Sequence, residues 1–577
     1  MSTDSSETSF RKPLSRRTLL KLTGLATGGL FLAACEAAVP DLEETPTPEV
    51  TPPPVDEPTP TPEEEPTPTP DDEPAPEPTP TPEEEPTPEV TPDPDEPRRG
   101  GRLRWGIHST PDGFFDPALA TGFPMWTSGF VYEQLVGIDE NYAELIPRLA
   151  TSWDAEEDGR AWVFELRQGV MFHHGREFVA EDVVHTFERI IDPDFASPAR
   201  SVFAALTEIE AVDDYTVRFH LDTANADFPV LLTGMQPKIV PHDLTDEEIN
   251  SEPRGTGPFR IDNYANAERI VFYRHEDYWD EGRPYIDELE TITIPEATTL
   301  INTLQAGDLD SVYLIPPPLM SIVDADENLE LMFGPPVQKD MLFMRLDVEP
   351  FNDDRVRRAF KLIPDREAMA ELVWGDIPVH VDDDNSVVPT SPWRVETDIW
   401  QQDLDEARRL LEEAGYGDGM EIDLYAMNDQ YGVVEFSLAF ADWAAQVGVT
   451  VNIVGVPQDR YYAENWLEVS FGTVEWTPRP TADEQLRIAY HSEAPWNETR
   501  FQNEEFDALL DEAVGETDQE RRAELYDEIQ RILITEGGKI IHAHYPNASA
   551  VRDHVRGFVY HPLDAFDPRT VWLEEQG

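Results

Sequence analysis

Closely spaced histidines are the first residues in this 577-residue chain whose types could do chemistry. Phe172-His173-His174-Gly175 and His542-Ala543-His544 each hold two imidazoles, common ligands for a transition metal. Adjacent residues of a strand project to opposite faces, so His173 and His174 are not placed to share one ion. His542 and His544 fall on one side of a strand, yet no third ligand is spaced near them. The chain contains no nucleophile elbow, no phosphate-cradling glycine loop and no His-Glu-x-x-His helix. These patterns predict no catalytic residues, no metal site and no cofactor.

Cys35 is the only cysteine, which excludes an intramolecular disulfide and a thiolate metal cluster. Its setting suggests another use. Ser15-Arg16-Arg17-Thr18-Leu19-Leu20-Lys21 has the form of a twin-arginine export signal, with Arg16 and Arg17 as the pair. The apolar run from Leu22 to Leu32 is too short to span a bilayer. It ends in Leu32-Ala33-Ala34-Cys35, which resembles a lipoprotein signal box in which Cys35 is lipidated and becomes the new N-terminus. Residues 1–35 are thus expected to be a signal peptide, and the mature chain to sit outside the cytoplasm, anchored to the cell membrane by acyl chains.

From Glu36 to Arg99 the sequence is almost wholly Pro, Thr, Glu and Asp, with too little apolar surface to build a core. A twelve-residue unit at Glu57–Pro68 recurs at Glu77–Pro88, so the tract grew by duplication. Proline fixes φ and the carboxylates repel one another, which predicts a disordered, extended linker of at most about 190 Å at ~3.1 Å per residue.

The remainder, Gly100 to Gly577, is long enough for more than one domain. With a net charge of −74 and only six lysines in the chain, it is not expected to bind nucleic acid or anionic lipid over its general surface. Hydrophobic periodicity predicts strands at Leu103–Ile107, Trp162–Leu166 and Thr450–Val454. It predicts helices at Ala180–Ile190, Thr298–Leu304, Leu404–Ala414 and Glu435–Val447. Asn503–Thr535 is expected to form two charged helices broken at Gly515, ahead of a strand at Lys539–Ala543. Alternating strands and helices predict mixed α/β domains.

Several short segments occur in an order that resembles one family. They are Val131-Tyr132-Glu133-Gln134-Leu135, Pro147-Arg148-Leu149-Ala150-Thr151-Ser152-Trp153, Phe164-Glu165-Leu166-Arg167-Gln168-Gly169-Val170 and Ala180-Glu181-Asp182-Val183. They continue with Gly255-Thr256-Gly257-Pro258-Phe259, Asp277-Tyr278-Trp279 and Arg355-Val356-Arg357-Arg358-Ala359. Over essentially its full length the core resembles the extracytoplasmic solute-binding proteins of ABC importers, family 5, typified by oligopeptide, dipeptide and nickel receptors.

That resemblance implies a two-lobe, periplasmic-binding-protein-like (type II) α/β fold with an extra domain inserted in the first lobe. By likeness, lobe I comprises residues 100–136, 254–324 and 551–577, the inserted domain 137–253 and lobe II 325–550. Function in this class is capture and release by a hinge, without covalent chemistry. The partners implied are a peptide or peptide-like solute, ABC permease subunits and their ATPases, with the receptor itself a monomer.

In related dipeptide receptors, the loop after the tryptophan of Val474-Glu475-Trp476-Thr477-Pro478-Arg479 supplies an aspartate for the ligand's ammonium. This chain carries Arg479 there, and a guanidinium favours a carboxylate or phosphate. An ion pair from Arg479 to Asp483 is the competing structural role. Near Asn428–Gly432, where those receptors use an arginine for the ligand's carboxylate, this chain offers Gln430 and Tyr431. The resemblance places Trp476, Thr477, Arg479, Tyr431, Trp126 and Phe114 in the ligand site, with Phe115 and Trp496 as further aromatic candidates. Trp153, Trp162 and Trp279 are assigned to packing. Two alternatives stand beside the peptide receptor: a receptor for an anionic non-peptide solute, favoured by Arg479, and a surface sensor without a transport role. A hydrolase is disfavoured by the lack of any triad or metal set.

Overall fold

The computed structural model describes residues 96–108, 114–120, 126–141, 143–261, 269–561 and 565–574. Arg16, Arg17, Cys35 and nearly all of the Pro-rich linker lie outside the described residues. From Pro97 onward the chain forms one unit built around three sheets.

The first sheet has seven strands, in the order Leu329–Phe333, Ala548–Arg552, Ser311–Val312, Arg102–Ile107, Glu288–Thr293, Arg269–Arg274 and Phe259–Arg260. Arg102–Ile107 runs parallel to both its neighbours. Leu103, Trp105 and Ile107 enter one core with Phe130, Phe272 and Phe566. On the opposite face, Gly106 faces Leu309 and Leu300, whose atoms would lie 2.5 and 2.7 Å from a Cβ. Only glycine lets the helix Ala297–Ala306 close on the sheet there. That helix stops at Gly307 in the left-handed conformation, as the sequence predicts.

The second sheet orders Val449–Val456, Met420–Met427, Phe471–Trp476, Lys339–Met344 and Lys539–Ile541. The first three are parallel and the last two pair antiparallel. Helices cover both faces, and the interior strand Lys339–Met344 shows it in its residues. Leu342 and Met344 join the core with Phe360 and Phe440, whereas Met341 and Phe343 join the core with Leu486 and Tyr526.

The inserted domain holds a four-stranded antiparallel sheet, Ala150–Glu156, Ala161–Leu166, Thr216–Leu221 and Leu206–Asp213, packed on helix Ala180–Ile191. A buried carboxylate in the first lobe orients the Trp279 ring that meets this domain. Glu133 accepts from Tyr278 Oη at 2.6 Å, Trp279 Nε1 at 2.9 Å and Thr256 Oγ1 at 3.0 Å. Trp279 therefore packs, as expected, with the Arg167 guanidinium 4.1 Å over its ring.

Two expectations need correction. Leu329–Phe333 and Ala548–Ala550, expected in lobe II, hydrogen-bond in the first sheet because Leu329 and Leu331 pack there with Ala548 and Ala550. The exchange between sheets therefore falls after Phe333 and before Ala548. The single strand expected at Lys539–Ala543 divides: Lys539–Ile541 pairs with Lys339–Met344, and Ala543–His544 turns to pair with His380–Val381. The two helices expected across Asn503–Thr535 are Glu504–Gly515 and Gln519–Glu536, each started by a side-chain cap, Asn503 and Asp518.

Glu133→Ala is expected to strand three buried donors and cost roughly 3 kcal/mol of unfolding free energy, read from urea denaturation. A loss below about 1 kcal/mol would show that the network contributes little to the first lobe.

Candidate ligand-binding cleft

Parallel α/β sheets open their crevices beyond the carboxyl ends of their strands, because the loops there are free of the sheet's hydrogen bonding. In the second sheet those ends lead into three loops, after Met427, after Val456 and after Trp476. Lys339 begins the antiparallel strand beside them, paired in register with Trp476. In the first sheet the corresponding ends are Ile107, Thr293 and Val312.

Trp476 is 3 % exposed and locked in place. Its indole N–H donates to Glu498 Oε1 at 3.0 Å, and Lys539 Nζ lies 2.7 Å from the same oxygen. Thr477 is exposed. Arg479 sits with its guanidinium carbon 5.6 Å from the Trp476 ring centre and 5.7 Å from that of Trp496. The ion pair considered between Arg479 and Asp483 does not form, because Arg487, one turn along the helix Ala482–Tyr490, takes Asp483 at 3.1 Å. Arg479 Nε is buried without a hydrogen-bond partner among the described residues.

Tyr431 lies in the loop after Met427, its hydroxyl donating to Val373 O at 3.0 Å and its ring edge-on to Trp374. Gly432 at φ +85° starts the next helix from this loop. On the first-lobe side, Trp126 is half-buried, 5.5 Å from Tyr313, and Phe114 is exposed. Phe115 is fully buried beside Tyr132 and Phe272, so it is core. Trp496 is partly exposed beside Trp476 and Trp466.

The histidines have structural neighbours. His173 Nε2 lies 2.9 Å from Gly257 O, and His174 Nε2 lies 3.3 Å from Asp243. His542 packs against Trp374 and Phe436, whereas His544 Nδ1 lies 3.0 Å from Asp382. Among the described residues no three His, Cys, Asp or Glu side chains are grouped to hold a metal ion.

Sequence reasoning missed an acid pair that joins the start of Lys339–Met344 to the end of Phe471–Trp476. Asp340 and Glu475 are direct cross-strand partners. Burial raises both carboxyls, and the neighbouring Glu475 charge pushes Asp340 well above the usual carboxylate range. Tyr545 Oη donates to Asp340 at 3.3 Å and Gln430 Nε2 at 3.0 Å, but no cation lies against either acid among the described residues. Trp374 stacks on Tyr545 with ring centres 4.1 Å apart, so the acid pair sits beside an aromatic wall. Lys339 projects from the other face of the sheet, fully buried, its Nζ without a hydrogen-bond or ion-pair partner among the described residues. The available clue was two charges in succession, Lys339-Asp340, opening an otherwise apolar strand.

Two mixed sheets joined by two short crossings, with a third sheet in an inserted domain, define a two-lobe α/β binding-protein fold. Residues 144–498 match the model of the bacterial extracellular solute-binding proteins, family 5, and the chain belongs to that family. It is 30 % identical over 496 residues to heme-binding protein A of Haemophilus influenzae, covering 78 % of this chain and 89 % of the relative. It is 28 % identical over 506 residues to the dipeptide-binding protein of Escherichia coli, covering 81 % and 93 %. The solved structure of HbpA2 from Haemophilus parasuis superimposes with a TM-score of 0.74 at 24 % identity, over 82 % of this chain and all of that one.

Burial, reinforced by Lys539, Arg394 and Arg479 and opposed by Asp382, lowers the Lys339 ammonium from 10.5 to about 7. Glu498 and His544 complete the charged surroundings of this cluster. Below pH 7 both folded and unfolded chains carry the charge, and the folded chain bears the full burial penalty. Between pH 7 and 10.5 only the unfolded chain holds the proton, so this group's contribution to stability rises with pH. Lys339→Met is therefore expected to melt higher than wild type at pH 6, with the gap closing by pH 10. An equal gap at both pH values in thermal melts would contradict the assignment.

Proposed function

We propose that this chain captures peptides or peptide-like solutes outside the cytoplasm and delivers them to a membrane permease driven by cytoplasmic ATPases. The observation that carries the ligand class is the Asp340–Glu475 pair, Asp340 buried and Glu475 half-buried, with no cation against it among the described residues and the Trp374 and Tyr545 rings beside it. An ammonium group satisfies both carboxyls at once, and aromatic faces attract a cation. It would do so at residues other than the loop position that Arg479 occupies. The E. coli relative is named as a dipeptide-binding protein, which agrees, whereas the H. influenzae relative is named for heme.

Capture follows from hinge closure: a solute that touches both lobes stabilises the closed form by its differential affinity for it. Tyr431, Trp476, Thr477 and Arg479 are the second-lobe residues we assign to the site, with Trp126 and Phe114 facing them. The protein works as a monomer and carries out no chemistry on its ligand. Arg16 and Arg17 direct export, a lipid on Cys35 anchors the chain, and residues 36–99 form the tether.

Thermal-shift titration with Ala-Ala and with N-acetyl-Ala-Ala tests the ammonium. The free amine is expected to stabilise the protein and the acetylated form to fail, and Asp340→Asn to weaken the free dipeptide about tenfold. Equal stabilisation by both peptides would overturn this reading.

A further inference from the structure

A cavity of about 80 Å³ lies beside Arg479, with one wall from the inserted domain, Ile138 and Val230, and the other from Trp393, Arg479, Thr481 and Gln485. A water molecule occupies about 30 Å³ of liquid, so the space is that of a few waters or one small oxyanion. Among the described residues Arg479 Nε has no hydrogen-bond partner, and neither polar atom of the Gln485 carboxamide has one, although Gln485 is only 3 % exposed. A buried amide without partners is rare, because each unmade hydrogen bond costs the group its hydration.

Thr481 and Ala482, which also line the cavity, open the nine-residue helix Ala482–Tyr490, and Thr481 Oγ1 caps Glu484 N at 2.9 Å. The helix thereby presents the positive end of its dipole to the same space.

Two of the three acids nearby are held by other arginines, and Glu484 Oε2 is buried without a hydrogen-bond partner among the described residues. Asp227, on the cavity wall, pairs with Arg522 at 2.5 Å, and Asp483 pairs with Arg487. Glu484 lies within the field of Arg479 but lines a separate cavity with Asp483 and Arg487. Near Arg479, Lys539 is matched by Glu498 and Arg394 by Asp382, and burial lowers the Lys339 ammonium to about 7.

We propose that this cavity is an oxyanion subsite, seating a side-chain carboxylate or a phosphate group of the captured solute against the Arg479 guanidinium and the Gln485 Nε2 at the start of the helix. This rests on the solute-receptor role proposed above and narrows it to solutes that carry an anionic group besides a peptide's terminal carboxylate. The anion's ligands come from the second-lobe wall, and the inserted domain closes the space over them with Ile138 and Val230. It does so beside the existing Asp227–Arg522 pair and the Ala226 N to Val514 O hydrogen bond of 2.9 Å.

The test is calorimetric titration of the full-length chain with Ala-Asp and Ala-Asn, which differ by one charge, and with glucose 6-phosphate against glucose. A charge-assisted hydrogen bond predicts about a tenfold or greater preference for the anionic member of a pair. Arg479→Gln and Gln485→Leu are each expected to collapse that preference. Gln485→Leu should also melt no lower than wild type, since it removes an unsatisfied amide. Preference for Ala-Asp places the anion on a peptide. Preference for glucose 6-phosphate with no binding of either dipeptide keeps the oxyanion subsite while the peptide reading fails. Dipeptides that bind equally well, with or without the acid, overturn the subsite and leave the peptide reading standing. If none of the four compounds binds, and inorganic phosphate neither binds nor raises the melting temperature, the subsite is overturned as well.

Discussion

The chain passes between its two large sheets twice, and the two crossings are hydrogen-bonded to each other. Gln338 N donates to Tyr545 O at 3.1 Å and Tyr545 N to Gln338 O at 2.8 Å, with Gly334 N bound to Asn547 O at 3.0 Å just beyond. Everything at the cleft edge is set by this pair of crossings. Lys339 and Asp340 follow immediately on one strand, His544 and Tyr545 end the other, and Tyr545 reaches back to Asp340. A short two-stranded connection of this kind bends as a unit, so motion between the lobes is confined to a few residues while the sheets stay rigid. The groups that feel such a bend first are the buried charges beside it.

Charge is distributed unevenly in a way that makes those groups informative. The exposed surface uses arginine for its ion pairs, as in Arg409 with Glu406 and Glu413 or Arg531 with Asp527. Such exposed pairs contribute little to stability. All four lysines among the described residues are buried. Lys361 is matched by Asp384, Lys539 by Glu498, and Lys238 reaches Ser128 Oγ. Lys339 stands apart from these three, and so does the acid pair on the opposite face of its strand. Buried charge without a partner costs stability, and proteins retain such groups where binding needs them. On the reading proposed above, the acid pair serves an ammonium group and Arg479, on the other side of the strand end, an anion.

The helices were legible because their periodicity and caps are local. Leu404–Glu413 and Ala180–Ile191 lie within one residue of their expected ends. Leu329–Phe333 was misassigned because its partner, Ala548–Arg552, lies more than two hundred residues away and nothing local specifies the pairing. Asp340 and Glu475 became neighbours through strand register that is likewise set at long range. Gln485 was invisible for a different reason: a glutamine within a charged helix looks solvated until the packing of the inserted domain encloses it. Arg479 was singled out from the sequence, but the Asp483 partner considered for it was taken by a residue at helical spacing, Arg487.

The most direct test of the central claim is to incubate the full-length chain with a casein hydrolysate, remove unbound material, denature the protein and identify the released compounds by mass spectrometry. A receptor with an ammonium slot and an oxyanion subsite is predicted to release short peptides with free N-termini, enriched in aspartate and glutamate over the hydrolysate. Release of no peptide, or of a set dominated by N-blocked or basic peptides, would contradict the account.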